Sequence, residues 1–417
     1  MQNAVCESRT TCRLCASDTL ELVLRLAATP PANAFAPSAE SAIAAERYPL
    51  DVMRCERCGH VQLAHVVDAT LLFTNYVYVS GTSPTFVRHF EEYAAQAVEV
   101  LGLTAGALVA DIGSNDGTLL RAFQDRQCRV RGIDPAKAIS EAANAAGIAT
   151  LNAFFSAAIA ADLRTEMGAA DLIVANNVCA HIDDLDDVVA GVAHWLSPRG
   201  EFWFEVSYLK SVLEGTLFDT IYHEHLDYHH LLPLLPFFAR HGLELWDAEE
   251  ITPHGGSIRV RVARQGVRQA SARLGALLEA ERQAGLDTPA PMVALQTQID
   301  RLGNELNTQL DRFAAEGLRG GGYGAPAKAT TLMHQFGIDG TRVGFIVDDS
   351  PWKQDLFSPG LGVPIVAADY ARAAEPAYLL VLAWNFADPI IRNNQWLLDQ
   401  GGRFVVPVPD LRLIGPH

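Results

Sequence analysis

The sequence predicts an α/β protein in three parts: an N-terminal metal-binding module, a central doubly wound parallel sheet, and a second, smaller sheet of the same kind. Three observations carry this. Two CxxC pairs stand near the start, Cys12–Cys15 and Cys55–Cys58. A short apolar strand runs into a glycine turn and a helix at ALVADIGSNDGTLLRAF, residues 107–123, and strands alternate with helices behind it. A second strand–turn–helix, GGGYGAPAKATTLMHQF at 320–336, opens a last run of strands. The chain has 417 residues, more than one ordinary core supports, and 49% of them are apolar. The expected divisions are 1–80, 81–265 and 266–417.

Composition narrows the function classes. The net charge is −17, so the chain repels phosphate backbones unless a local basic patch intervenes, and none is visible. This predicts no nucleic-acid partner. The opening MQNAVCESRTTC lacks a basic stretch followed by an apolar one, and no apolar run is long enough to span a bilayer. A cytoplasmic enzyme without membrane contact is expected. Cysteine usage agrees: four of seven form the two pairs, while Cys6, Cys128 and Cys179 stand alone. That pattern reads as metal ligation in a reducing compartment.

The four paired thiols, Cys12, Cys15, Cys55 and Cys58, make a tetrahedral S4 site suited to zinc. Its closed coordination sphere makes the metal structural. Residues 16–54 between the pairs include PPANAF, a turn, and RYPLDVMRCERCGHVQL alternates like a hairpin around the second knuckle. Next comes NYVYVSGTS, residues 75–83, a polar aromatic loop. Its Tyr76 and Tyr78 suit either packing at a domain junction or binding. Pro84 opens a helix whose apolar face carries Phe86, Phe90, Tyr93 and Val98.

In the central part, the turn Gly113-Ser114-Asn115-Asp116-Gly117 lets the backbone bend sharply and approach a ligand. Asp111 closes the strand before it. A carboxylate there repels a pyrophosphate and favours a cationic ligand; S-adenosylmethionine, with its sulfonium and amino groups, fits. A second strand, RVRGIDP, ends at Asp134, about 20 residues on, where a carboxylate can accept from ribose hydroxyls. Asn152 and Phe154 fall beside the adenine position. The loop NNVCAHI, with Asn176 and Asn177, lies at the carboxyl end of a further strand, where ligands bind in such sheets.

DIGSNDG, HEHLDY, HGGSIRV, GYGAPAK and AWNF occur in this order behind a CxxC…CxxC module. In this the chain resembles the sugar C-methyltransferases that act on nucleotide-linked 4-keto-6-deoxysugars, many of which methylate C3. The resemblance covers essentially the whole chain. It implies a central Rossmann-like methyltransferase domain, a degenerate C-terminal Rossmann-like domain that helps bind the nucleotide-sugar, and a dTDP-linked 4-keto-deoxysugar as substrate.

The stretch FDTIYHEHLDYHH, residues 218–230, holds four of the chain's 13 histidines. A metal site, a proton-transfer site and a polar loop compete. HExxH spacing is absent, and on a helix His223 and His225 point about 200° apart. C-methylation beside a ketone requires a base near neutral pKa, and histidine supplies one. The resemblance places Tyr222, Glu224 and His225 in the active site through its Tyr-x-Glu-His pattern, with His181 and Tyr76 nearby. His225 is the first choice for general base. Glu224 orients a group or bonds the sugar; Tyr222 donates to the C4 oxygen or positions the ring. His223, His229 and His230 are expected to be plain polar neighbours. Which of His225, His181 and Tyr222 is the base stays open.

Farther along, Leu295, Ile299, Leu302, Leu306, Leu310 and Phe313 form the apolar stripe of one long helix. Monomer and homodimer both stay open. Gly322, Gly324 and Ala327 then sit in G-x-G-x-x-A spacing on a short, glycine-rich strand. The turn's amides and Lys328 suit a pyrophosphate. Asp348, Trp352, Lys353, Trp384 and Asn385 follow at strand ends. These residues, with Tyr78, Ser80, Ser83 and His254, are the candidates for substrate binding. Two rival functions are a nicotinamide-dependent sugar-nucleotide oxidoreductase and a zinc-containing RNA methyltransferase.

Overall fold

The computed structural model describes residues 5–73, 81, 84–252 and 256–416. Tyr76, Tyr78, Ser80, Ser83 and His254 lie outside these. Among the described residues no helix is long and apolar enough to cross a membrane.

Three main sheets organise the chain. The first is antiparallel: β1 (Leu20–Thr29), β2 (Tyr48–Cys55) and β3 (Val61–Leu63) form a meander. Its fourth strand is supplied from far along the chain, by Asp227–Tyr228 pairing with Val61–Gln62. The hairpin expected around the second knuckle is β2 and β3. The zinc module thus takes a piece of the histidine-rich stretch into its own sheet.

The central sheet has seven strands: β4 (Leu108–Ile112), β5 (Arg129–Asp134), β6 (Thr150–Asn152), β7 (Ala170–Asn176), β8 (Leu196–Ser207), β9 (Leu243–Ile251) and β10 (Ser257–Arg264). Their order is β9-β10-β8-β7-β4-β5-β6, with β10 antiparallel to its neighbours. β4 is buried along its whole length and apolar except for Asp111, as befits a strand covered on both faces. Chain order reverses on either side of β4, so a crevice opens at the carboxyl ends of β4 and β7. Gly113 sits there with φ +70°, and any Cβ on it would run into Val178. Helix α1 (Pro84–Leu101) buries Phe90 and Tyr93 against this sheet, and helix α2 (Thr118–Gln124) follows the glycine turn.

The C-terminal sheet has the order β13-β12-β11-β14-β15-β16, from β11 (Gly320–Tyr323), β12 (Ile346–Val347), β13 (Ile365–Val366), β14 (Tyr378–Val381), β15 (Arg403–Val406) and β16 (Arg412–Ile414). The glycine run of β11 looks too poor for a strand, yet it is buried at the sheet's centre. Side chains at Gly320 and Gly321 would collide with the rings of Tyr378 and Phe345. Neighbouring aromatics fill the space, so only glycine fits. A crevice opens between β11 and β14, at the start of helix α4 (Ala327–Phe336).

Helix α3 (Ala290–Ala315) buries the predicted stripe, Leu295 through Phe313. One hydrophobic core unites that stripe with Leu24 and Leu26 of β1 and with Leu332 and Met333 of α4. A second unites Cys12, Leu14 and Cys55 with the central sheet. Burial therefore runs across the three parts.

Candidate active site

The four thiols of Cys12, Cys15, Cys55 and Cys58 lie within 4.8 Å of one another. The Sγ atoms of Cys12 and Cys58 are 3.6 Å apart, those of Cys15 and Cys55 3.5 Å. A tetrahedron with Zn–S bonds of about 2.3 Å has S–S edges of about 3.8 Å, so the set fits zinc. The Gly59 amide donates to the Cys55 carbonyl and that of Ala16 to Cys12, closing both knuckles. No other such ligand group occurs among the described residues.

At the central crevice, Asp134 ties the glycine turn to β5. Its two oxygens accept from the amides of Asn115 (2.9 Å) and Ala136 (2.8 Å). Burial pushes the Asp134 carboxyl up, and it raises buried Asp111 well above the usual range, with Asp134 adding repulsion. A cation bound near these two desolvated carboxyls would favour their ionised forms. Asn176, at the end of β7, has a buried amide whose oxygen and nitrogen both lack a partner among the described residues, as a ligand-binding group would. Asn177, with φ +58°, donates its amide to the Glu205 carbonyl. Phe154 is 48% exposed at the edge of the crevice strands. Asn152, expected beside the adenine, is instead committed to the carbonyls of Asp134 and Pro135. Asp116 accepts from Thr118 and from the Gly81 amide, tethering the turn to the segment before α1.

The stretch 218–230 crosses from this crevice to the C-terminal one. Leu226 donates its amide to the Ala180 carbonyl, and its own carbonyl accepts from Leu63 of β3. His181, in a short 3-10 turn, stacks on His225 with ring centroids 5.0 Å apart, and Phe73 stacks on His181 at 5.5 Å. Tyr222 lies 4.2 Å from the His225 ring on a tilted plane. The His225 Nδ1 is 2.6 Å from the Thr220 carbonyl. A carbonyl can only accept, so Nδ1 carries hydrogen and Nε2 is the basic nitrogen. The Thr220 contact is one that sequence gives no means of finding, because it is made by the main chain.

Glu224 is 4% exposed and accepts from the Asn33 amide at 2.8 Å. Burial pushes its carboxyl up to about 7, with Asn33 opposing. Asn33 comes from the PPANAF turn. The remaining histidines are not surface neighbours. His223, His229 and His230 are buried; His223 bonds the Tyr48 carbonyl and His229 that of Cys179. The zinc module's sheet covers them, which sequence composition alone hides.

At the C-terminal crevice, Gly324 has φ +88°. Asp348 accepts from Ala325 and Ser350, and Lys353 donates to the Ala325 carbonyl, so both fix the turn's shape. Lys328 sits 4.4 Å over the Trp384 ring, Asn385 is exposed, and Trp352 is 85% exposed.

A sheet in this strand order whose switch point holds two desolvated carboxylates and an unpartnered amide accommodates a cationic nucleoside: the chain is an S-adenosylmethionine-dependent methyltransferase. Three family profiles match it: a methyltransferase domain over 86–248, a C-methyltransferase C-terminal domain over 252–409, and a domain described as zinc binding over 12–73. The C-methyltransferase NovU of Streptomyces niveus is 35% identical over 407 residues, 97% of this chain and 96% of that one. The chain belongs to this C-methyltransferase family. Among solved structures, the magnesium protoporphyrin IX methyltransferase of Synechocystis PCC 6803 with bound SAH is 15% identical, covering 43% of this chain and 83% of that one, with TM-score 0.34. An S-adenosylmethionine-dependent methyltransferase of Clostridium acetobutylicum is 12% identical over 43% and 92%, with TM-score 0.35.

Proposed function

We propose that the chain methylates a ring carbon, C3, of a dTDP-linked 4-keto-6-deoxysugar. The observation that carries the reading is the His225 ring, fixed in one tautomer by Thr220 and bracketed by His181 and Tyr222. Such a ring suits proton abstraction beside a ketone. An elongated substrate is supported by the same turn, because Asp219, six residues earlier, bonds Trp384 in the C-terminal crevice at 2.6 Å. A sugar near His225 would then have its diphosphate near Lys328.

Asp111, Gly113, Asn115, Asp134, Phe154, Asn176 and Asn177 would hold S-adenosylmethionine. When bound, it would supply an electrophilic methyl on a sulfonium: a carbon nucleophile would form the C–CH3 bond as the S–CH3 bond breaks, its electron pair leaving on the sulfur of S-adenosylhomocysteine. His225 Nε2 takes the C3 proton, and the C–H electron pair moves toward the C4 oxygen as an enolate. Tyr222 donates to that oxygen. Glu224, held near neutrality by burial, bonds the sugar. The test is incubation with S-adenosylmethionine and a panel of nucleotide 4-ketosugars, read by mass spectrometry. One added methyl on a dTDP-4-ketosugar is expected; methylation of none of the panel refutes the reading.

A further inference from the structure

Asp219 is fully buried, and nothing in the chemistry above uses it. One oxygen accepts from the Trp384 indole N–H at 2.6 Å; the other has no partner among the described residues. The same indole presents its face to the Lys328 ammonium, 4.4 Å from the ring centroid. Lys328 stands in the first turn of α4, where the orphan amides of a helix start already favour an anion. Among the described residues it makes no direct salt bridge, so its ammonium can meet an anionic ligand, while Asp219 is linked to it across the Trp384 indole. Two hydroxyls of α4 brace the neighbouring loops: Thr331 donates to the Ile221 carbonyl and Thr330 to that of Ala32. One helix therefore touches the turn that carries His225 and the turn that carries Asn33.

We propose that Asp219 is a positioning residue: it fixes the Trp384 indole and supplies the counter-charge that keeps Lys328 a cation at the C-terminal crevice, where the substrate's diphosphate binds. This rests on the reading that the substrate is a nucleotide-sugar. The electrostatics agree with the geometry. Burial pulls the Lys328 ammonium down, and Asp219 is the charged group that pulls it back. Burial holds Asp219 at about 6, with Lys328 and the Trp384 N–H opposing. Above about pH 6 the Asp219 carboxylate is ionised and acts on the lysine as a negative charge. Because Asp219 precedes Thr220, the same anchor fixes the carbonyl that holds His225.

The experiment uses the full chain, thymidine diphosphate and S-adenosylmethionine as separate calorimetric probes between pH 6 and 10, and turnover with a dTDP-4-ketosugar. Asp219→Asn keeps an oxygen for the Trp384 N–H and removes the charge. Without it the Lys328 pKa falls, so the pH at which diphosphate affinity is lost should drop by about one unit or more. KM for the nucleotide-sugar should rise about tenfold at pH 8, with kcat changed much less and S-adenosylmethionine binding retained. Asp219→Glu should restore part of the profile. Lys328→Met should abolish the pH-dependent loss altogether, which keeps the idea testable if Asp219→Asn folds poorly. Unchanged diphosphate affinity and pH profile in Asp219→Asn, or in Lys328→Met, overturns the assignment. A wild-type chain that binds S-adenosylmethionine but no thymidine diphosphate overturns the nucleotide-sugar reading itself, and the assignment with it.

Discussion

Replacing Glu224 by Gln should make the protein more stable at alkaline pH while impairing it as an enzyme. The carboxyl is 4% exposed and sits at about 7, against an ordinary 4.5, because burial disfavours its ionised form. Below pH 4.5 it is protonated in folded and unfolded chains alike. As pH climbs toward 7, the unfolded chain ionises while the folded one keeps its proton, and stability drains away. Each pH unit is about 1.4 kcal/mol, so the whole displacement amounts to roughly 3 kcal/mol, of which about 2.5 falls between pH 5 and 8. Glutamine cannot ionise, and its oxygen still accepts from Asn33. Any constant packing difference cancels when the gap between variant and wild type is compared at two pH values. Urea unfolding followed by fluorescence at pH 5 and pH 8 measures that gap. It should widen in the variant's favour by about 2 kcal/mol or more. Parallel stabilities at the two pH values would refute the reasoning, because Glu224 would then titrate no differently when folded.

Three other outcomes are expected. Metal analysis should find one zinc per chain, and Cys58→Ser should lose it; methyl transfer should fall at least tenfold with S-adenosylmethionine affinity little changed, because Asp227–Tyr228 pairs with β3. Gly113→Ala should abolish S-adenosylmethionine binding by calorimetry and cost at least about 1–2 kcal/mol, since φ is +70° and Val178 occupies the methyl's place. Burial also holds His223 down at about 4, below its ordinary 6.5, so its stabilising contribution is present above pH 6.5 and drains as pH falls toward 4; thermal scans should show His223→Gln losing less stability than wild type over that window.

Much of the fold is legible because its signals are local. The CxxC pairs, the ALVADIGSNDG turn and the Leu295–Phe313 stripe each announce themselves within a few residues, and the structure places them as a thiol cluster, a crevice turn and a buried helix face. What stays hidden is long-range. Asn33 meets Glu224 across 191 positions, and Asp219 meets Trp384 across 165. Thr220 acts through a carbonyl that every residue owns. The burial of His223, His229 and His230 depends on a sheet formed from residues 20–63, which nothing within the stretch itself signals. The β11 glycines mislead for a related reason: the rings that need their space lie on other strands.

The most direct measurement is hydrogen exchange at the substrate carbon, without methyl donor. In D2O, wild-type protein with a dTDP-4-keto-6-deoxysugar should wash deuterium into C3, seen by NMR, and His225→Asn should not, although it still binds S-adenosylmethionine. Undiminished exchange in His225→Asn would show that some other group removes the proton, and the account would be wrong at its centre.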